Sequence, residues 1–258
     1  MNKTSYSYEE VDAAKGIIVL VHGFNLNPHK FQDFIHFFHQ QGVSTLNVTM
    51  AGHDGSNEVY KASSQRWKED VDQALDLAQN IALKKNIPLF FLGYSTGSLA
   101  ASLLFIEKKY EVRKQFLFAP ALAMRNYVSV GKLLAKVKVP KALIPEMNYK
   151  GYRATSYLPS VAYQAFFGLY KQWLDIKNKD LVDFPTFVFA RKQDEIVSFS
   201  GLRNMINKNH FDKWEMHQLN KGNQFPMQHV MVDKLSLSPD WNFVTQKIQI
   251  QVNSSLSH

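Results

Sequence analysis

The stretch Phe91-Leu92-Gly93-Tyr94-Ser95-Thr96-Gly97-Ser98-Leu99 decides how this chain is read. An apolar run of strand type, residues 87–92, feeds straight into Gly93-Tyr94-Ser95-Thr96-Gly97. A helix-forming run, 98–109, follows at once. Strand, Gly-x-Ser-x-Gly and helix in that order form a nucleophile elbow, whereas the five letters alone also describe an ordinary Gly/Ser turn. The turn is tight enough to force Ser95 into a strained backbone. Gly93 and Gly97 are expected where strand and helix backbones pass close to each other. The serine hydroxyl then sits at a helix N-terminus, where free N–H groups favour negative charge.

Working outward, the same pattern of buried strand and amphipathic helix recurs. Residues 16–22 are continuously apolar and β-branched, as in a parallel strand covered on both faces. Pro28 opens a helix to about 41, with Phe31, Phe34, Ile35 and Phe38 on one face. A strand is expected over 43–49 and a long helix over 64–85, with Trp67, Val71, Ala74, Leu75, Ala78, Ile81 and Ala82 as its buried stripe. Further strands read at 114–119, 185–190 and 213–219, with helices near 199–209 and from about 240. The alternation Tyr6-x-Tyr8 suggests at most an edge strand, and 253–258 is expected to fray. Strands alternating with helices imply a parallel α/β sheet with right-handed crossovers. Between 121 and 180 the alternation breaks: no clean strand, many aromatics, and helical fragments divided by Pro140, Pro145 and Pro159.

A length of 258 residues suits one large domain or a core with one insertion, and 45% hydrophobic with 20% charged residues is ordinary for a globular protein. No run of eighteen apolar residues suggests a membrane span. Residues 1–15 carry no apolar leader, so a cytoplasmic location is expected. Zero cysteines exclude disulfides, cysteine nucleophiles and thiolate metal sites. Gly-rich phosphate loops of the nucleotide-binding kinds are absent from the sequence. His36 and His39 lie three apart on a helix, a spacing a metal can use, but no third ligand is near in sequence and both read as surface residues.

A serine hydroxyl needs a base, the base an orienting carboxylate, and the oxyanion two N–H donors. The chain offers them in the order Ser, Asp, His. His229 follows a long Gly/Asn/Pro loop, 219–228, and is the candidate base. His217 sits within a strand pattern and His210 at a helix end. Asp194 follows the 185–190 strand by a short loop and is the candidate carboxylate. It also reads as the acid of a helix N-terminus or as an ion-pair partner of Arg191 or Lys192, and Glu195 is its neighbouring rival. Asp175, Asp180 and Asp183 precede the strand, on the wrong side of the sheet. The donors are expected from Thr96, the residue after the nucleophile, and from Phe24, in the loop after the first strong strand. His22, beside Gly23, then pins that loop.

These pieces, His22-Gly23-Phe24, Gly52-His53, Gly93-x-Ser95-x-Gly97, Asp194-x-Ile196-Val197 and His229-Val230, resemble the α/β-hydrolase superfamily. The pattern is most similar to small carboxylesterases and monoacylglycerol-lipase or lysophospholipase-type enzymes. Three residues depart from it: Ser98 and Asp54 stand where those esterases carry glycine, and Gln228, not glycine, precedes the histidine. The resemblance implies an α/β-hydrolase fold, a mostly parallel sheet flanked by helices, with a core of 1–120 and 181–258 and a helical cap inserted at 121–180. It implies a serine esterase or lipase without cofactor or metal, acting on a small-molecule ester rather than nucleic acid. Thioesterase, peptidase, C–C hydrolase and acyltransferase chemistry use the same triad, and non-catalytic ligand-binding members of the fold are a further reading.

The formal charge is +8. Residues 121–180 hold ten basic side chains (Arg125, Lys132, Lys136, Lys138, Lys141, Lys150, Arg153, Lys171, Lys177 and Lys179) against three acidic, a net +7. The excess is either a solvated cap surface or a patch that meets anionic lipid. Basic groups at such a surface contribute about 1 kcal/mol each and are screened by salt. If the patch meets lipid, co-sedimentation with vesicles will rise with anionic lipid content, fall with salt, and weaken when Lys132, Lys136, Lys138 and Lys141 become Gln. Binding indifferent to all three marks a solvated surface.

Overall fold

The computed structural model describes residues 5–55, 57–108, 110–126, 143–145, 149–222 and 227–256. Its elements run β1 (Tyr6–Glu9), β2 (Gly16–Val21), a 3-10 turn (Pro28–Phe31) leading into α1 (Gln32–Gln40), β3 (Val43–Val48), α2 (Ser64–Lys85), β4 (Leu89–Tyr94), α3 (Thr96–Glu107) and β5 (Val112–Phe118). After β6 (Leu143–Pro145) and β7 (Tyr157–Pro159) come α4 (Ser160–Asp175), β8 (Thr186–Arg191), α5 (Phe199–Lys208), β9 (Trp214–Leu219) and α6 (Trp241–Leu256).

Seven strands form one sheet in the order β1-β3-β2-β4-β5-β8-β9. Only β1 is antiparallel, Tyr6 opposite Val48; it caps the edge of an otherwise parallel sheet. This is the α/β-hydrolase fold that the sequence resembles. Every residue of β2, β3, β4 and β8 is buried, as strands covered on both faces require. Successive residues point to opposite faces, so Ile17, Val19 and Val21 pack with α2, α3 and α4, while Ile18 and Leu20 pack with α1 and α6. Local signals set the ends of α2: the Ser63 side chain accepts the Arg66 N–H at the start, and left-handed Asn86 closes it.

Three expectations need correction. The 121–180 segment does contain strand: β6 and β7 pair antiparallel, Leu143 opposite Pro159. Strands of three residues with proline at their ends carry no readable alternation. The C-terminal helix does not fray at 253; α6 runs to Leu256, held by buried Val252 and Ser255. The elbow strand starts at Leu89, because the Ile87 N–H still closes the preceding helix on the Ala82 carbonyl and Pro88 has no N–H to give the sheet.

The aromatics of 121–180 divide. Tyr152, Phe166 and Trp173 are buried, and Trp173 donates from Nε1 to the Leu122 carbonyl, whereas Tyr149 and Tyr157 are exposed. Tyr127, Lys132, Lys136, Lys138 and Lys141 lie outside the described residues. No helix among the described residues is long and apolar enough to cross a membrane.

At Gly97 an added Cβ would lie 2.3 Å from the Val21 carbonyl oxygen and 2.6 Å from that of His22. Backbone atoms cannot yield as a flexible side chain can. Gly97→Ala will therefore lower unfolding free energy by about 3 kcal/mol or prevent folding. Gly151→Ala, with no neighbour nearer than 3.9 Å, will stay within about 0.5 kcal/mol of wild type in the same urea titration.

Candidate active site

Ser95 is the single residue between β4 and α3, with φ 49° and ψ −113°. Its neighbours hold it there. Its N–H donates to the Phe118 carbonyl at 2.9 Å, and its own carbonyl accepts from Ala121 at 3.1 Å and Leu99 at 3.3 Å. A Cβ on Gly93 would stand 2.9 Å from the Ser98 Cα, and one on Gly23 would stand 2.7 Å from the Tyr94 ring and 3.0 Å from the Ser95 Cβ. Gly23, Gly93 and Gly97 thus let the β2 loop, the strand and the helix converge on one serine.

His229 arrives from a loop 134 residues later in the chain, and its Nε2 lies 3.0 Å from Ser95 Oγ. Its Nδ1 lies 2.9 and 3.0 Å from the two oxygens of Asp194. Asp194 is fully buried, and its Oδ1 also accepts the N–H groups of Ile196 at 2.7 Å and Val197 at 2.8 Å. A carboxylate so bonded is an acceptor on every side, which places the imidazole proton on Nδ1 and leaves the Nε2 lone pair toward the serine. Neither Arg191 nor Lys192 pairs with the Asp194 carboxylate by any described contact; Arg191 instead donates to the carbonyls of Gln228 at 3.3 Å and Ser236 at 2.9 Å.

The loop after β2 lies against this pair. Gly23 O accepts from His22 Nδ1 at 2.8 Å and from Leu26 N–H at 3.2 Å. In a trans peptide the N–H points opposite to the C=O, so the Gly23–Phe24 plane, and the direction of the Phe24 N–H, is fixed from behind. Thr96 is the first residue of α3, and its N–H has no acceptor within the helix by position. Two buried histidines back the loop. His22 Nε2 accepts Met50 N–H at 3.0 Å, and His53 Nε2 accepts Asn25 N–H at 2.9 Å. Both rings are therefore neutral with the proton on Nδ1, and they lie 4.4 Å apart. Burial, with His53 adding, holds His22 well below its usual value; burial lowers His53 to about 4.

The other candidates lie elsewhere. His217 stands within β9, its ring stacked on Phe187 and Phe189 and its Nε2 3.2 Å from Glu215. His210 follows α5 in a left-handed conformation. On α1, His36 bonds Gln40 and His39 bonds Thr45 Oγ1. Asp180 and Asp183 flank a 3-10 turn that precedes β8.

Several supporting residues escaped the sequence reading. Glu195, the rival carboxylate, accepts the N–H groups of Gln228 at 2.9 Å and His229 at 3.0 Å, and so holds the histidine's backbone. Gln228 closes its own loop by exchanging bonds with the backbone of Gly222. Tyr94 donates its hydroxyl to the His229 carbonyl at 3.2 Å, and Arg125 donates to the Asp194 carbonyl at 2.5 Å. Only Glu195, next to Asp194, carried a sequence signal.

A mostly parallel sheet with a strained serine at its carboxyl edge defines the α/β-hydrolase class. Residues 12–171 match the family model described as serine aminopeptidase, S33, and the chain belongs to that hydrolase family. No curated protein matches. Among solved structures, a soluble variant of monoglyceride lipase from Saccharomyces cerevisiae superposes with a TM-score of 0.75 at 16% identity, covering 97% of this chain and 91% of that one. A Bacillus coagulans carboxyl esterase gives 0.71 at 14% identity over 97% and 94%. A Paleococcus ferrophilus monoacylglycerol lipase gives 0.70 at 12% identity over 97% and 98%.

The buried histidines make stability depend on pH. A folded-state pKa near 4, against about 6.5 unfolded, gives stability that is present above pH 6.5 and lost as pH falls toward 4. For His53 this is worth about 3 kcal/mol, and His22 acts in the same direction. Asp70, which accepts Ala51 N–H at 2.7 Å, opposes them: burial raises its carboxyl to about 6, so its contribution grows as pH falls below 6. Wild-type protein will thus lose stability between pH 7 and pH 5, and Asp70→Asn, lacking the opposing group, will lose more. Urea titrations at pH 7, 6 and 5 measure both slopes; a slope unchanged by the substitution would contradict the assignment.

Proposed function

We propose that this chain is a serine hydrolase that cleaves carboxylic esters through an acyl-enzyme on Ser95. The observation that carries the reading is the unbroken line from Ser95 Oγ to His229 Nε2 at 3.0 Å and from His229 Nδ1 to Asp194 at 2.9 Å. In this reading His229 takes the hydroxyl proton as Ser95 attacks the acyl carbon, and Asp194 holds the imidazole and stabilises its charged form. The N–H groups of Phe24 and Thr96 receive the oxyanion. His229 then gives its proton to the departing alcohol, and water repeats the cycle to free the acid. The chemistry calls for no cofactor and no metal.

Two observations support esters as the substrate class. Phe24, whose N–H is assigned to the oxyanion, packs its ring against Tyr163 and Phe166 of α4 at 5.1 and 5.5 Å, apolar surroundings that suit an acyl chain. The solved structures that superpose on the chain include monoglyceride lipases and a carboxyl esterase. We therefore favour acylglycerol-like, lysophospholipid-like or short acyl esters, under a cap formed by 121–180 whose basic excess suits an anionic lipid surface. The family description favours a second reading, removal of N-terminal residues from peptides by the same triad.

Ser95→Ala will abolish hydrolysis of a p-nitrophenyl ester and labelling by a fluorophosphonate while leaving the unfolding transition intact, since loss of a triad nucleophile costs on the order of 10⁶ in kcat. Members of a triad act as one unit, so Ser95→Ala/His229→Ala will be hardly slower than Ser95→Ala alone. More than a tenth of wild-type activity in Ser95→Ala would overturn the assignment. A panel of acyl esters, thioesters and aminoacyl amides separates the two readings: turnover of the amides alone would replace the esterase by the aminopeptidase.

A further inference from the structure

Asn25 follows Phe24 and is completely buried in a left-handed conformation, φ 48°. Its side chain spends every polar atom on one residue of the 121–180 segment. Oδ1 accepts Thr155 N–H at 3.0 Å and Thr155 Oγ1 at 3.2 Å, and Nδ2 donates to Thr155 O at 2.9 Å. The backbone continues the seam. Asn25 O accepts Ala154 N–H at 3.0 Å, Leu26 pairs antiparallel with Arg153, and Asn27 N–H donates to Tyr152 O at 2.8 Å. On its other side Asn25 N–H is held by His53. The seam thus fixes Leu26, whose N–H is one of the two groups gripping the Gly23 carbonyl.

The same strap reaches the histidine side of the site. The Tyr152 hydroxyl donates to Asp233 Oδ2 at 2.6 Å, and Asp233 Oδ1 accepts Ser236 N–H at 2.8 Å. Ser236 in turn accepts from Arg191, which grips the carbonyl of Gln228 next to His229.

We propose that Asn25 is a positioning residue for the oxyanion hole: through Thr155 and the strap 152–155 it sets the Gly23–Phe24 peptide so that the Phe24 N–H is aimed where charge develops on the substrate. The assignment rests on the reading of Ser95 and Phe24 given above. A loop merely needing a stable turn is served by φ alone, which glycine supplies; three side-chain bonds to a single partner 130 residues away restrain orientation as well. Orientation matters because a donor aimed at the oxyanion acts in the transition state and little in the ground state.

Asn25→Gly keeps the left-handed backbone and deletes only the side-chain bonds. With a p-nitrophenyl ester its kcat will fall by about 10- to 100-fold, less than the loss of a whole donor, while KM stays within about threefold. The second-order rate of fluorophosphonate labelling will fall in parallel. Thr155→Val, which removes only the Oγ1 bond and leaves the two bonds of the Thr155 backbone to Asn25, will retain more kcat than Asn25→Gly. A folded Asn25→Gly with kcat within twofold of wild type, or with its whole loss in KM or in thermal stability, would overturn the proposal. If Asn25→Gly does not fold, Thr155→Val is judged by the same criterion, with about a threefold fall in kcat at unchanged KM expected, about half the effect on a logarithmic scale. Ser95→Ala is assayed beside them. An inactive Ser95→Ala with an unaffected Asn25→Gly defeats this inference alone; an active Ser95→Ala defeats the nucleophile assignment and this one with it.

Discussion

The close passage of α3 beneath the end of β2 is the constraint on which the rest depends. A Cβ at Gly97 has no room, because the carbonyls of Val21 and His22 already occupy it. That approach forces the chain to turn from strand to helix within one residue, and Ser95 takes φ 49° as a result. A non-glycine residue held this way costs on the order of 1–3 kcal/mol. The surroundings offset it with backbone bonds: Ser95 N–H to Phe118, and Ala121 and Leu99 to the Ser95 carbonyl. The strain therefore persists because the sheet on one side and the helix on the other both agree on it.

The remaining groups are brought to that point by loops, and each loop is tied down by polar side chains rather than by packing alone. Asp194 caps its own loop through Ile196 and Val197 before it meets His229. Glu195 grips the backbone of His229 itself, and Arg191, buried in β8, holds the turn on either side of it. His22 and His53 do the same for the loop of Phe24, as neutral rings whose tautomers are dictated by the backbone N–H groups they accept. Burying so many polar groups is tolerable only because nearly each has a partner with good geometry.

What was legible in the sequence was what is local. The strand–turn–helix around Ser95, the unbroken apolar runs of β2 and β4, and the cap and stop of α2 each reside in a few consecutive residues. The order Ser, Asp, His narrowed the partners because loop position after a strand is also a local property. What was not legible is made by distant pairs. The bond from Gln228 to Glu195 spans 33 residues and that from Asn25 to Thr155 spans 130; nothing in either neighbourhood announces the other. β6 and β7 were missed because three-residue strands bounded by proline have no period to read. The end of α6 was misjudged because polar Gln, Asn and Ser residues hid the buried Val252.

The arrangement of acids around His229 bears on substrate choice. An enzyme that trims peptides from their amino end must hold a free ammonium close to the acyl carbon, and a carboxylate is the group that does so most strongly. The two acids that flank the histidine are already engaged: Asp194 with the imidazole and two N–H groups, Glu195 with the N–H groups of Gln228 and His229. Recruiting either for a substrate would release the histidine it steadies. An ester asks for nothing of the kind. Its acyl chain needs only apolar surroundings, of the kind that the Phe24, Tyr163 and Phe166 rings make with one another. With both flanking acids committed to the imidazole and to the protein's own backbone, neither is the ammonium site that an aminoacyl amide would need, a distinction that the fold by itself does not supply.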